Sequence, residues 1–194
     1  MAIRGLHEAS WVKSESQASS IGRPASSNRW EGHGLGWRAV AVTIRRLGPG
    51  DEPVLALIAE EALDFDQAGL SEPERPLAAA DAAAYLADPS VLHWVATDEG
   101  HIVGELLWHV LPLPSGAGRE LLLYSIGVRQ ADRRRGVGSA LIREMREWAE
   151  GHGIPEVWVL ADNPGAEAFY AACAFVRGGP SDQGVLMLLD TDQG

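Results

Sequence analysis

ELLLYSIGVRQADRRRGVGSALIREMREWAE, residues 120 to 150, is the stretch on which the fold turns. Its first nine residues form a nearly continuous apolar run, the pattern of a central strand buried on both faces. Its second half places Val137, Leu141, Met145 and Trp148 on one stripe, and Gly151, Gly153 and Pro155 follow, so a helix is predicted over 137–153. Between them Arg133, Arg134 and Arg135 crowd against the helix start. That end is the positive pole of the helix dipole, where each cation is unfavourable by roughly 0.3–1 kcal/mol. The crowding is intelligible if an anion binds there. A strand, a glycine-containing loop and a helix N-terminus together present free backbone N–H groups. Gly136 and Gly138 let a ligand approach the backbone, and dipole and guanidinium groups then act on one bound charge.

Two familiar glycine loops are excluded. A P-loop needs a lysine after its last glycine, and the chain has no lysine beyond Lys13. A dinucleotide fingerprint needs a third glycine or alanine where Leu141 stands. What remains is R-x-x-G-x-G, made by Arg133, Gly136 and Gly138. The missing lysine also removes Schiff-base chemistry.

Outward from this centre the pattern stays regular. Residues 38–47 alternate like a strand, 52–65 have a helical period, and 78–89 form an alanine-rich helix stopped by Pro89. Residues 91–111 read as a hairpin turning at Asp98, Glu99 and Gly100. A buried strand is predicted over 156–161, a helix capped by Asn163 over 163–175, and a closing strand over 185–190. The sum is an α/β (α+β) domain with a mixed central sheet, spanning 37–194. Residues 1–36 are rich in Ser and Gly and read as an extension, either disordered or loosely docked through Trp11 and Trp30.

Composition bounds the partners. The chain of 194 residues carries a net charge of −11. Residues 1–36 hold four cations against three carboxylates, so the body is more acidic than the whole. Such a body repels nucleic acid and anionic membranes and favours cationic partners. The absence of a long apolar run and of a leader-like N-terminus, with Cys173 alone, suits a cytoplasmic protein. Cys173 reads as a small buried residue rather than a nucleophile. The histidines show no ligand spacing, so no metal is expected.

The order strand, R-x-x-G-x-G, amphipathic helix, strand, N-x-x-A-x-x-F-Y resembles the GCN5-related N-acetyltransferase (GNAT) superfamily. The second motif is Asn163, Ala166, Phe169 and Tyr170, and the likeness covers about 38–190. The resemblance implies acetyl-CoA as acyl donor and an amine acceptor. It implies that the pyrophosphate lies on amides of Arg134, Arg135, Gly136, Val137, Gly138 and Ser139, with Asn163 adjoining. Pantetheine would run along Ile126, Gly127 and Val128, with Gly127 as a bulge. Tyr170 would protonate the departing thiolate, its alternative role being that of a packed helix tyrosine. Glu120, sharing parity with Leu122, Tyr124 and Ile126, is the candidate general base, directly or through water. Many members have a glutamate where this chain has Leu122, and a glycine where it has Ala174.

Within the superfamily, HVLPLP (109–114) and GRELLLYSIGV (118–128) look like the aminoglycoside 3-N-acetyltransferases, although Ser125 replaces their aspartate. Glu60, Glu61, Asp64 and Asp66 border the acceptor cleft by the same resemblance. A non-catalytic acyl-CoA-binding module and a protein or peptide N-acetyltransferase are the other readings, and a homodimer is compatible with the sequence.

Overall fold

The computed structural model describes residues 42–65, 75–114, 118–161 and 163–178. The extension, Asp66, Asp162 and the strand predicted over 185–190 lie outside the described residues. The described strands are β1 (Thr43–Arg46), β2 (Val91–Asp98), β3 (His101–Pro112), β4 (Arg119–Val128) and β5 (Val157–Val159). They form one sheet in sequence order, antiparallel from β1 to β4 and parallel between β4 and β5. A parallel step needs a crossover, and α4 (Val137–Gly151) supplies it. The mixed sheet with flanking helices expected from the sequence is the fold observed.

Each sheet face carries its own core. On one, Leu92, Trp94, Leu106, Trp108, Leu121 and Leu123 meet Val137, Leu141, Ile142 and Met145 of α4. α5 (Pro164–Ala172) adds Phe169 and Tyr170 to this core. Burying each such side chain contributes about 1.5–3 kcal/mol. The stripe read from the sequence faces the sheet, while Arg143–Glu147 and Arg146–Glu150 pair on the solvent side. On the other face, Val95 and Ile102 pack with Ile58, Phe65 and Leu86. These come from α1 (Glu52–Glu60), α2 (Ala62–Phe65) and α3 (Ala79–Ala87).

Three expectations need correction. The helix predicted over 52–65 breaks at Glu61, and the short α2 that follows turns Phe65 into the core on the face away from α4. β4 is not buried on both faces, because Tyr124 is 68% exposed. The strand predicted as buried over 156–161 is three residues long, with Trp158 and Leu160 exposed, because among the described residues it pairs with β4 alone.

Candidate active site

The parallel pairing of β4 with β5 covers only Leu121–Val157, Leu122–Trp158 and Leu123–Val159. Immediately after it, the register with β3 slips: Leu123 faces Trp108 and Ser125 faces Leu107, leaving Tyr124 as the extra residue. A bulge of this kind bends the strand and reverses which residues face which side. The amide directions follow from two bonds. Leu121 N–H donates to Glu156 O (3.0 Å) on the β5 side, and Arg129 N–H donates to Val103 O (3.0 Å) on the β3 side. Ladder alternation therefore turns the N–H groups of Ile126 and Val128 toward the β5 side, past the end of the parallel pairing. Ile126 and Val128 are the two positions that the resemblance names for the pantetheine arm.

The bulge also corrects two expectations. Gly127 is not the bulge; it pairs with Glu105. A Cβ on Gly127 would meet Phe65 Cβ at 3.0 Å and Glu105 Oε1 at 3.3 Å, so its small size admits α2. Glu120 shares a face with Leu122 but not with Ile126, which packs against the α4 core. Strand rise also separates Glu120 from Tyr124 by about 13 Å along β4.

Beyond β4, a 3-10 turn at Gln130–Asp132 leads into the loop, where Arg134 takes φ 65° and Gly136 takes φ 90°. Gly136 caps α4 without a side chain, and the first helical bond there is Ala140 N–H to Gly136 O (3.0 Å). The N–H groups of Val137, Gly138 and Ser139 therefore have no intrahelical acceptor. The first turn of α4 holds no acidic residue, so the anion-binding pole carries no competing charge.

The three arginines divide their work. Arg133 Nε donates to Val128 O (3.1 Å) and Nη2 to Phe65 O (3.4 Å), tying the loop to β4 and α2. Arg135 bonds Asp98 Oδ2 (2.7 Å) and Asp132, tying the loop to the β2–β3 hairpin. Arg134 is exposed and, alone of the three, has no ion pair or side-chain hydrogen bond among the described residues. The guanidinium groups that were expected to share one anion are thus mostly structural. Arg129, which the sequence reading missed, bonds Glu61 and Asp64 Oδ2 (2.9 Å) and lies over the Phe65 ring. A cleft of ≈ 370 Å³ beside the loop is lined by Glu61, Asp98, Glu99, His101, Val103, Arg129 and Asp132, and three of its four carboxylates, Glu61, Asp98 and Asp132, already have arginine partners.

Asn163 Oδ1 accepts from Ala166 N–H (2.9 Å), so its visible role is to cap α5. Gly138 is closed over by α5, since a Cβ there would meet Phe169 Cζ at 3.1 Å. Tyr170 is buried, 9% exposed, with its ring near Phe169 and Phe175. That placement suits a packing role, and a Tyr170→Phe change keeps it while removing the hydroxyl. Cys173 is half-buried, and burial pushes its thiol above the usual range, the wrong direction for a nucleophile.

A second polar group lies on the opposite face of the sheet. His93, 6% exposed, has Nε2 at 2.9 Å from Glu105 Oε2 and Nδ1 at 3.0 Å from Tyr85 OH. Burial first, then Glu105, pushes the Tyr85 hydroxyl up to about 12. Sequence reading missed this chain of groups because only the hairpin register brings residues 12 apart together.

The residues present fit acetyl-CoA. Ile126 and Val128 offer outward amides, Val137 to Ser139 offer unsatisfied helix amides, and Arg134 offers an exposed cation. Among the described residues no cluster of three or more metal-ligating side chains occurs, and no helix is long and apolar enough to cross a membrane.

The acetyltransferase (GNAT) family model matches residues 55–175. N-acetyltransferase 8 of Rattus norvegicus is 29% identical over 109 residues, which is 54% of this chain and 48% of that protein. The chain thus spans about half the length of this relative. The crystal structure of an aminoglycoside acetyltransferase from an uncultured soil metagenomic sample is 25% identical, with TM-score 0.60, covering 78% of this chain and 98% of that one. A candidate acetyltransferase from Agrobacterium tumefaciens is 29% identical, with TM-score 0.62, covering 76% and 99%.

Proposed function

Since the chain belongs to the GNAT acetyltransferase family, we propose that it transfers an acetyl group from acetyl-CoA to a primary amine. The cosubstrate supplies the acetyl group as an activated thioester. Val137, Gly138 and Ser139 amides, with Arg134, hold its diphosphate. Ile126 and Val128 N–H groups hold its pantetheine arm and aim the thioester at the parting of β4 and β5. A donor positioned where charge develops on the thioester oxygen is typically worth ~2.7–4 kcal/mol. Tyr170 returns a proton to the departing sulfur. The observation that supports this reading most is the coincidence of two donor sets, at the strand fork and at the uncapped helix start, on one strand–loop–helix unit.

The acceptor class we propose is a polycationic amine such as an aminoglycoside. Support comes from the acidic body and from the likeness to aminoglycoside acetyltransferases as a group. That likeness gives no ground for the 3-N position.

Binding and turnover test separate parts of this. Acetyl-CoA at about 100 times its dissociation constant adds ~2.7 kcal/mol of stability, a melting rise of roughly 5–10 °C for a domain of this size. Arg134→Glu, exposed and outside the core, cuts that rise. Gly138→Asp is a poorer probe because it also displaces Phe169. Thiol release with a panel of amines then separates an enzyme from a module that binds acyl-CoA without turnover. Tyr170→Phe lowers kcat and leaves acetyl-CoA binding intact.

A further inference from the structure

The amine must lose a proton before its lone pair can attack, and Glu120 lies about 13 Å along β4 from the residue at which β4 and β5 part. A different residue stands beside the fork. His109 of β3 is the direct cross-strand partner of Leu122, on the face opposite the α4 core. Its ring meets Tyr124 edge-on, centroids 5.7 Å apart and planes at 90°. Tyr124 is the bulged residue at which β4 and β5 part, and it is exposed. His109 therefore lies beside the bulge, its ring reaching the residue at which β4 and β5 part, and it is only half-buried.

From this geometry we infer that His109 is the general base for the acceptor amine. The inference rests on the acetyltransferase reading above. The bound ammonium gives one proton to an imidazole nitrogen of His109, which later releases it to solvent. The freed nitrogen pair forms the C–N bond, and the C–S pair leaves with sulfur. The second nitrogen proton balances the one that Tyr170 gives to that sulfur. Net, one amide, one thiol and one proton are formed.

His93, on β2 two residues from the position that pairs with His109, cannot serve, because both its ring nitrogens are already engaged by Tyr85 and Glu105. His109 has no hydrogen bond or ion pair among the described residues. The charged and titratable groups around it are Asp88 after α3, His93 on β2, and Glu120 and Tyr124 on β4. The Asp88 carboxyl is held below the usual carboxylate range chiefly by hydrogen bonds from Ser90.

The test is the pH dependence of kcat/KM for a primary amine that titrates well above pH 9. With His109 as base, kcat/KM rises and levels off between pH 5 and 8, where imidazoles titrate. In His109→Gln the plateau is lost, kcat/KM climbs on toward the amine's own ionisation, and the rate near pH 7.5 falls by about 10²–10⁴-fold. His101→Gln at the hairpin tip keeps the wild-type profile, and acetyl-CoA still raises the melting temperature of His109→Gln. Independently of turnover, the His109 ring signal, assigned in wild-type protein through its contact with the Tyr124 ring, shifts in NMR spectra when amine is added. A plateau that survives in His109→Gln, or moves only in Glu120→Gln, overturns the inference and leaves the acetyltransferase reading intact. A His109 ring that ignores the amine overturns it even if the variant fails to fold. Wild-type protein releasing no thiol with any amine would instead overturn the reading beneath it.

Discussion

Ala174 follows α5 with φ 69°, a left-handed conformation that costs a residue with a Cβ roughly 1–2 kcal/mol relative to glycine. The backbone has kept the turn for which the family pattern supplies glycine, and here alanine bears the strain. Ala174→Gly is expected to raise unfolding free energy by about 0.5–1 kcal/mol after the entropy of glycine is subtracted; the urea midpoint measures it, and an unchanged or lower midpoint contradicts it. Tyr85 gives a second residue-scale expectation. Its hydroxyl titrates near 12 folded against about 10 unfolded, so the native state binds more protons between those values. Stability from this group is complete below pH 10 and declines as pH rises toward 12. Ultraviolet titration shows a late phenolate in wild-type protein that Tyr85→Phe removes; a curve that Tyr85→Phe leaves unchanged above pH 10 would contradict the burial.

At the scale of elements, α4 rests on β3 through Gly104, where a Cβ would meet Val137 Cγ1 at 2.8 Å and Leu141 Cδ1 at 3.2 Å. Gly104→Ala pushes the helix from the sheet, at a cost of about 1–3 kcal/mol. Leu141→Ala leaves a cavity instead and costs about 2–5 kcal/mol. Thermal melts distinguish the consequences: both variants melt earlier, and Gly104→Ala also weakens acetyl-CoA binding because it shifts the helix start. The helix and loop were legible because apolar periodicity and turn glycines are local signals. The bulge at Tyr124 was not, since LLLYSIG keeps a nearly continuous apolar run and only pairing with β3 exposes the extra residue. That single slip is why Glu120 was read onto the face of Ile126. Likewise RRR shows charge but not direction, and only the fold reveals that Arg133 turns inward and Arg135 back to the hairpin.

For the molecule as a whole, one βαβ unit carries two sets of amides: its parted strands expose one set along an edge, and its helix start exposes the other at the end. The rest of the described fold keeps that unit in place, with one core under α4 and another under α1 to α3. Backbone amide hydrogen exchange, followed residue by residue with and without acetyl-CoA, tests this most directly. Slower exchange at Ile126, Val128, Val137, Gly138 and Ser139, together and at saturating ligand, is the predicted result. Protection confined to other segments, or none despite measurable binding, would contradict it.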